Sequence, residues 1–137
     1  MNRTDFQELA EVRIAEAAVL LAAQKWDGAY YLTGYAVECA LKACIAKLTN
    51  QYDFPEKRFA EKCFTHDFER LLDCVDLEGK LFADLITDQI RSENWETAAL
   101  WKEVSRYERK SQAEAELLYN AITDSAHGVL PWLKQNW

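Results

Sequence analysis

The chain holds little that would bend or interrupt a backbone. Only 4 glycines and 2 prolines stand among its 137 residues, which leaves few places for hairpins, long linkers or low-complexity tracts. Its four cysteines, Cys39, Cys44, Cys63 and Cys74, form no CxxC pair and have no histidine at metal-ligand spacing. They read as reduced thiols, and nothing in the sequence calls for a metal or an organic cofactor. Positive charge is in deficit: 16 Lys and Arg face 23 Asp and Glu, a net charge of −7. That balance argues against a broad nucleic-acid surface, whose affinity comes from neutralised phosphates, but permits a small basic pocket. No apolar run approaches the length of a bilayer, and residues 1–6 carry no signal-peptide pattern. The expected location is cytoplasmic, with no membrane contact.

What is present is helical periodicity, in a composition that is 50% hydrophobic and 28% charged, as in globular domains. Residues 4–25 read as a first helix with Thr4 or Asn2 as N-cap and Asp5 and Glu8 at the positive end of its dipole. Its stripe is Phe6, Leu9, Ala10, Ile14, Ala17, Leu20 and Leu21. Arg13 projects into that stripe, either snorkelling outward along apolar surface or serving as counter-charge for a buried acid. After Trp26-Asp27-Gly28, a second helix continues to Asn50. It is apolar around most of its circumference, so it is expected to be the most buried element.

That second helix carries the most telling residue. At about 100° per residue, Tyr30, Gly34, Val37, Leu41, Cys44, Ile45 and Leu48 share one broad face. Glu38 lies within it, and Lys42 sits one turn later at its margin. A carboxylate is costly to bury without a partner. Something must therefore face Glu38: Lys42, an arginine from another helix, a partner subunit or a ligand. Gly34 costs about 1 kcal/mol relative to alanine in a helix, and close approach of a neighbouring helix or a ligand would compensate.

Residues 51–64, with Tyr52, Phe54, Pro55 and Phe59, read as an aromatic loop with room for one helical turn. Thr65 reads as the N-cap of a short helix bearing Phe68, Leu71, Leu72 and Val75, with His66 pointing to solvent or lying in the capping region. A further helix is expected over residues 77–91, carrying Leu81, Leu85 and Ile90. Residues 92–107, with Trp101, Val104 and Arg106, show no clear period. Ser111 caps a last long helix with the stripe Ala115, Leu118, Ile122, Ser125 and Val129. His127 lies opposite that stripe and is expected to be exposed, and Gly128 and Pro131 bend or end the helix. The expected fold is all-α, an up-and-down bundle of four or five helices in one domain spanning residues 1–137.

The order of these pieces resembles the HEPN domain. The residues that carry the likeness begin with Arg13, Ala17 and Leu20-Leu21 in the first helix. They continue through Ala29-Tyr30-Tyr31-Leu32-Thr33-Gly34-Tyr35-Ala36-Val37-Glu38-Cys39-Ala40-Leu41-Lys42-Ala43 and Thr65-His66-Asp67 leading into Leu71-Leu72. Trp101, Arg106-Tyr107 and the closing Ala121, Ala126 and Trp132-Leu133-Lys134 complete it. The resemblance implies a helical bundle that forms a homodimer, often beside a minimal nucleotidyltransferase partner. Many such domains are metal-independent ribonucleases of toxin–antitoxin systems. Their signature is an arginine followed within a few residues by a histidine, the arginine stabilising phosphate charge and the histidine moving a proton or positioning the ribose hydroxyl.

This chain departs from that signature. Arg58 precedes His66 with seven residues between them, and no histidine follows Arg106-Tyr107-Glu108-Arg109-Lys110. Two of the resulting expectations are non-catalytic. In one, a homodimeric module binds a nucleotide, RNA or protein through a polar pocket of Glu38, Lys42, Arg106 and Tyr107, with Arg13 a further member. In the other, the chain is a toxin–antitoxin subunit that partners a nucleotidyltransferase. The enzymatic alternative is a divergent metal-independent ribonuclease using His66 or Arg106. Glu38 and Lys42 are also readable as a buried ion pair that fixes helix register.

Overall fold

The computed structural model describes residues 1–49 and 56–137. Tyr52, Phe54 and Pro55 of the expected aromatic loop, and the expected helix end at Asn50, lie outside the described residues. Among the described residues there are eight α-helices, one 3-10 turn and no strand. The first two helices dominate. Helix α1, Arg3–Ala22, starts at a reciprocal capping box: Asn2 Oδ1 accepts from the Asp5 N–H at 3.0 Å, and Asp5 Oδ2 accepts from the Asn2 N–H at 2.8 Å. It stops at Gln24, whose φ of 59° is left-handed. There the Lys25 N–H reaches Leu20 O at 2.8 Å and the Gln24 N–H reaches Leu21 O at 3.0 Å, the paired bonds of a Schellman turn. This turn sends the chain back along α1 as α2, Trp26–Leu48.

Helix α2 is the axis of the molecule. It packs against α1, α4 (Phe68–Cys74), α7 (Gln112–Thr123), α8 (Val129–Lys134) and the 3-10 turn Glu103–Tyr107. Thirteen of its residues are buried, Glu38 and Thr33 among them, as its all-round apolar character requires. Thr33 satisfies its hydroxyl by donating to Ala29 O at 2.7 Å.

The expectation of four or five helices is corrected to eight among the described residues. Residues 57–63 form a short helix, α3 (Lys57–Cys63). The N-cap of α4 is Asp67, whose Oδ1 accepts from the Arg70 N–H at 3.1 Å, and not Thr65. The stretch expected as one helix over residues 77–91 divides into α5 (Glu78–Thr87) and α6 (Gln89–Ala99). Asp88 makes the break, taking an extended backbone and accepting from the Arg91 N–H at 2.9 Å. Helix α7 begins at Ser111 as expected, through a second capping box with Glu114, but ends at Thr123. Ser125 is therefore outside it and exposed, and Gly128 is the N-cap of α8.

His127 is only one-third exposed, and its Nδ1 lies 2.8 Å from Asp88 Oδ2. It joins the start of α6 to the loop before α8. The Asp88 carboxyl is held below its ordinary range, first by the Arg91 backbone N–H and then by His127. All four cysteines are unpaired thiols. Burial pushes Cys39 and Cys63 up to about 12 and Cys44 up to about 11, so these three are protonated and poor nucleophiles at neutral pH. No helix among the described residues is long and apolar enough to cross a membrane.

Candidate functional site

Glu38 is 1% exposed, and both its oxygens are engaged. Lys42 Nζ donates to Oε1 at 2.7 Å from one turn along α2. Nδ1 of His66 lies 2.9 Å from Oε1 and 2.9 Å from Oε2. Glu38 is thus a paired internal carboxylate that orients an imidazole. It does not itself line an open pocket.

His66 reaches inward because it precedes its helix. Thr65 Oγ1 accepts from the Asp67 N–H at 3.2 Å, and the Asp67 side chain closes the first turn of α4. The residue between them is turned back towards α2, leaving the imidazole 48% exposed on its outer side. His66 lies in the capping region and is exposed, as expected, while its inner edge faces Glu38.

The outer layer comes from residues 101–110, and α2 holds that segment at both ends. At one end Trp101, 2% exposed, lies over Gly34. Its indole stacks on Phe68 at 5.2 Å and meets Tyr31 at 6.0 Å. Trp101 Nε1 and Ser105 Oγ are buried without hydrogen-bond partners among the described residues, so packing supplies most of this seat. At the other end Asp27 accepts from the Lys110 backbone N–H at 2.6 Å and from Arg109 Nη1 at 2.8 Å. These contacts, the Lys110 N–H foremost, hold the Asp27 carboxyl below its usual range.

Between the two anchors Glu103 bridges His66 and Arg106. One of its oxygens lies 3.3 Å from His66 Nε2, and the other accepts from Arg106 Nη1 at 2.5 Å. Arg106 also covers the ring of Tyr107 at 4.9 Å. The Tyr107 side chain, then Tyr31 and Glu103, raise the guanidinium above its ordinary value, so it is a permanent cation. Tyr107 is 79% exposed.

Glu38, Lys42, His66 and, through Glu103, Arg106 therefore join one polar chain, and Tyr107 flanks it through Arg106. Arg13 stands apart: it pairs with Glu16 on its own helix and lies 5.9 Å from the centre of the Tyr35 ring. Glu103 was missed from the sequence. Its only signal was its place three residues before Arg106, in a stretch without helical period. Chemically the arrangement offers a guanidinium and a half-exposed imidazole on a shared carboxylate, beside an exposed aromatic ring. Among the described residues no group of three or more His, Cys, Asp or Glu is gathered so as to hold a metal ion. Comparison with family models, known proteins and solved structures found no match.

Proposed function

We propose that the chain is a HEPN-like helical module that binds a phosphate-bearing ligand, an RNA or a nucleotide, on the face formed by His66, Arg106 and Tyr107, and that it acts as a homodimer. The observation that carries this reading is the position of Glu103. Its carboxylate already occupies the space between His66 and Arg106, where a phosphate oxygen would meet the Arg106 guanidinium beside the outer edge of the imidazole. The setting favours such a ligand. Residues 101–110 hold four Lys or Arg and two Glu in a chain whose net charge is −7. Tyr107 offers an exposed ring for base stacking. Both nitrogens of His66 face carboxylates, which favours binding over proton transfer. The homodimer draws support from exposed Val12 and Val19 on α1, an apolar margin beside Leu20 and Leu32.

Titration of a labelled mixed-sequence single-stranded RNA, with nucleotides as competitors, tests the proposal. Arg106→Ala is expected to weaken binding about tenfold, the value of one charge-assisted contact. Glu103→Gln is expected to tighten it, because the internal competitor loses its charge. Equal affinities in all three proteins would sink the reading. Sedimentation of the unliganded protein at micromolar concentration tests the homodimer.

A second reading, a divergent metal-independent ribonuclease, has one observation in its favour: His66 and Arg106 meet on the same carboxylate. Cleavage of an RNA pool in chelator, lost in both His66→Ala and Arg106→Ala, would establish it. Cleavage equal in all preparations would mark a contaminant.

A further inference from the structure

A second surface, sharing no residue with the candidate site, lies along α5. Leu81 is buried there, and Asp84 accepts from Trp132 Nε1 at 2.7 Å, so these residues mark the inner face. Phe82 and Ile86, one turn apart, are 68% and 70% exposed and form an adjacent apolar pair. Gly79 stands one turn before Phe82 on that outer face. A Cβ there would meet nothing within 4 Å, and no glycine in the described residues has a positive φ. Neither backbone nor internal packing requires this glycine, and its bareness leaves a slot open. The slot is part of a groove of about 430 Å³ walled by Leu72, Phe82, Leu85 and Trp95, with Glu69 and Glu78 on its rim.

The charge around the groove is one-sided. Glu69 and Glu78 line it, and no Lys or Arg does. An acidic rim around an apolar floor is complementary to a helix with leucine-like residues on one face and Lys or Arg beside them. We propose that this groove docks a cationic amphipathic helix of a partner protein. Its apolar side chains enter over Gly79 between Phe82 and Trp95, and its cations meet Glu69 and Glu78. A second copy of this chain is a poor occupant, because a two-fold contact would set the acidic rim against itself. This surface goes beyond the phosphate-binding reading and stands without it.

The probe is a fluorescein-labelled peptide of leucine and lysine at helical spacing, titrated by anisotropy against the whole chain. A peptide of the same composition in scrambled order serves as comparison. Phe82→Ser with Ile86→Ser, and separately Glu69→Lys with Glu78→Lys, are each expected to weaken binding about tenfold or more. All four positions are exposed, and circular dichroism checks that the variants remain folded. Leu117→Ser with Glu116→Lys changes an exposed apolar and acidic pair on α7, and is expected to leave binding intact. The proposal is overturned if the native chain does not bind the amphipathic peptide, or binds the scrambled one equally. It also fails if the α5 variants bind like the native chain, or the α7 control loses as much as they do. A native dimer that dissociates in the Phe82→Ser, Ile86→Ser variant would instead assign the face to a second copy.

Discussion

Gly34→Ala is expected to destabilise the protein by about 3 kcal/mol, although alanine is the better helix former by about 1 kcal/mol. A Cβ at position 34 would lie 2.2 Å from Cδ1 of Trp101 and 2.3 Å from its Cγ and Nε1, far inside van der Waals contact. The indole has no easy retreat, being 2% exposed and stacked on Phe68 with 10° between the ring planes. Overpacking of a rigid, close-packed neighbour is relieved only by moving backbone. Here the backbone that must move carries the 3-10 turn, whose seat depends on packing because Trp101 Nε1 and Ser105 Oγ lack partners among the described residues. Glu103 and Arg106 would be displaced with it. Thermal unfolding should show a midpoint lowered by roughly 10 °C, and the folded variant should also bind RNA more weakly. Trp101→Phe in the same chain should recover part of the loss by removing the atoms that clash. A Gly34→Ala protein as stable as the native one would show that the indole does not lie on this helix.

The same pair of residues shows what could be read from sequence. Helical period alone placed Gly34 and Glu38 on the buried face of α2, because a long helix preserves phase over many residues. The need for a close neighbour at Gly34 and for partners at Glu38 followed from elementary costs. The identity of the neighbour did not follow, because Trp101 lies 67 positions away in a segment with no period. His66 escaped for a related reason. A helix starting at Thr65 would turn it away from the stripe, whereas Asp67 is the N-cap, and a residue before the cap is aimed by the turn and not by the helix. The division of residues 77–91 was hidden as well. Leu81, Leu85 and Ile90 keep a plausible helical rhythm across Asp88, and only the side-chain cap at Asp88 reveals the new start.

The second large effect is expected at Lys42. Lys42→Ala should cost about 3 kcal/mol, because it removes one partner of a buried ion pair and leaves the other charge in place. Glu38, 1% exposed, would then depend on His66 alone. His66→Ala should cost less, about 1 kcal/mol, since the imidazole is half exposed and Lys42 remains. The double change should exceed the sum of the two, because only then does the buried carboxylate lose both partners. A third protein, Glu38→Leu with Lys42→Met, separates charge from packing. Apolar residues of similar volume in place of a buried pair are often neutral or stabilising, so this variant should regain most of the stability that Lys42→Ala loses. It should not regain ligand affinity, because His66 would have nothing behind it to set its direction. Denaturant unfolding and RNA titration on the same preparations read the two effects apart. If the apolar pair is as unstable as Lys42→Ala, packing and not uncompensated charge explains the loss. If it also binds RNA like the native chain, Glu38 is a structural carboxylate with no part in positioning His66.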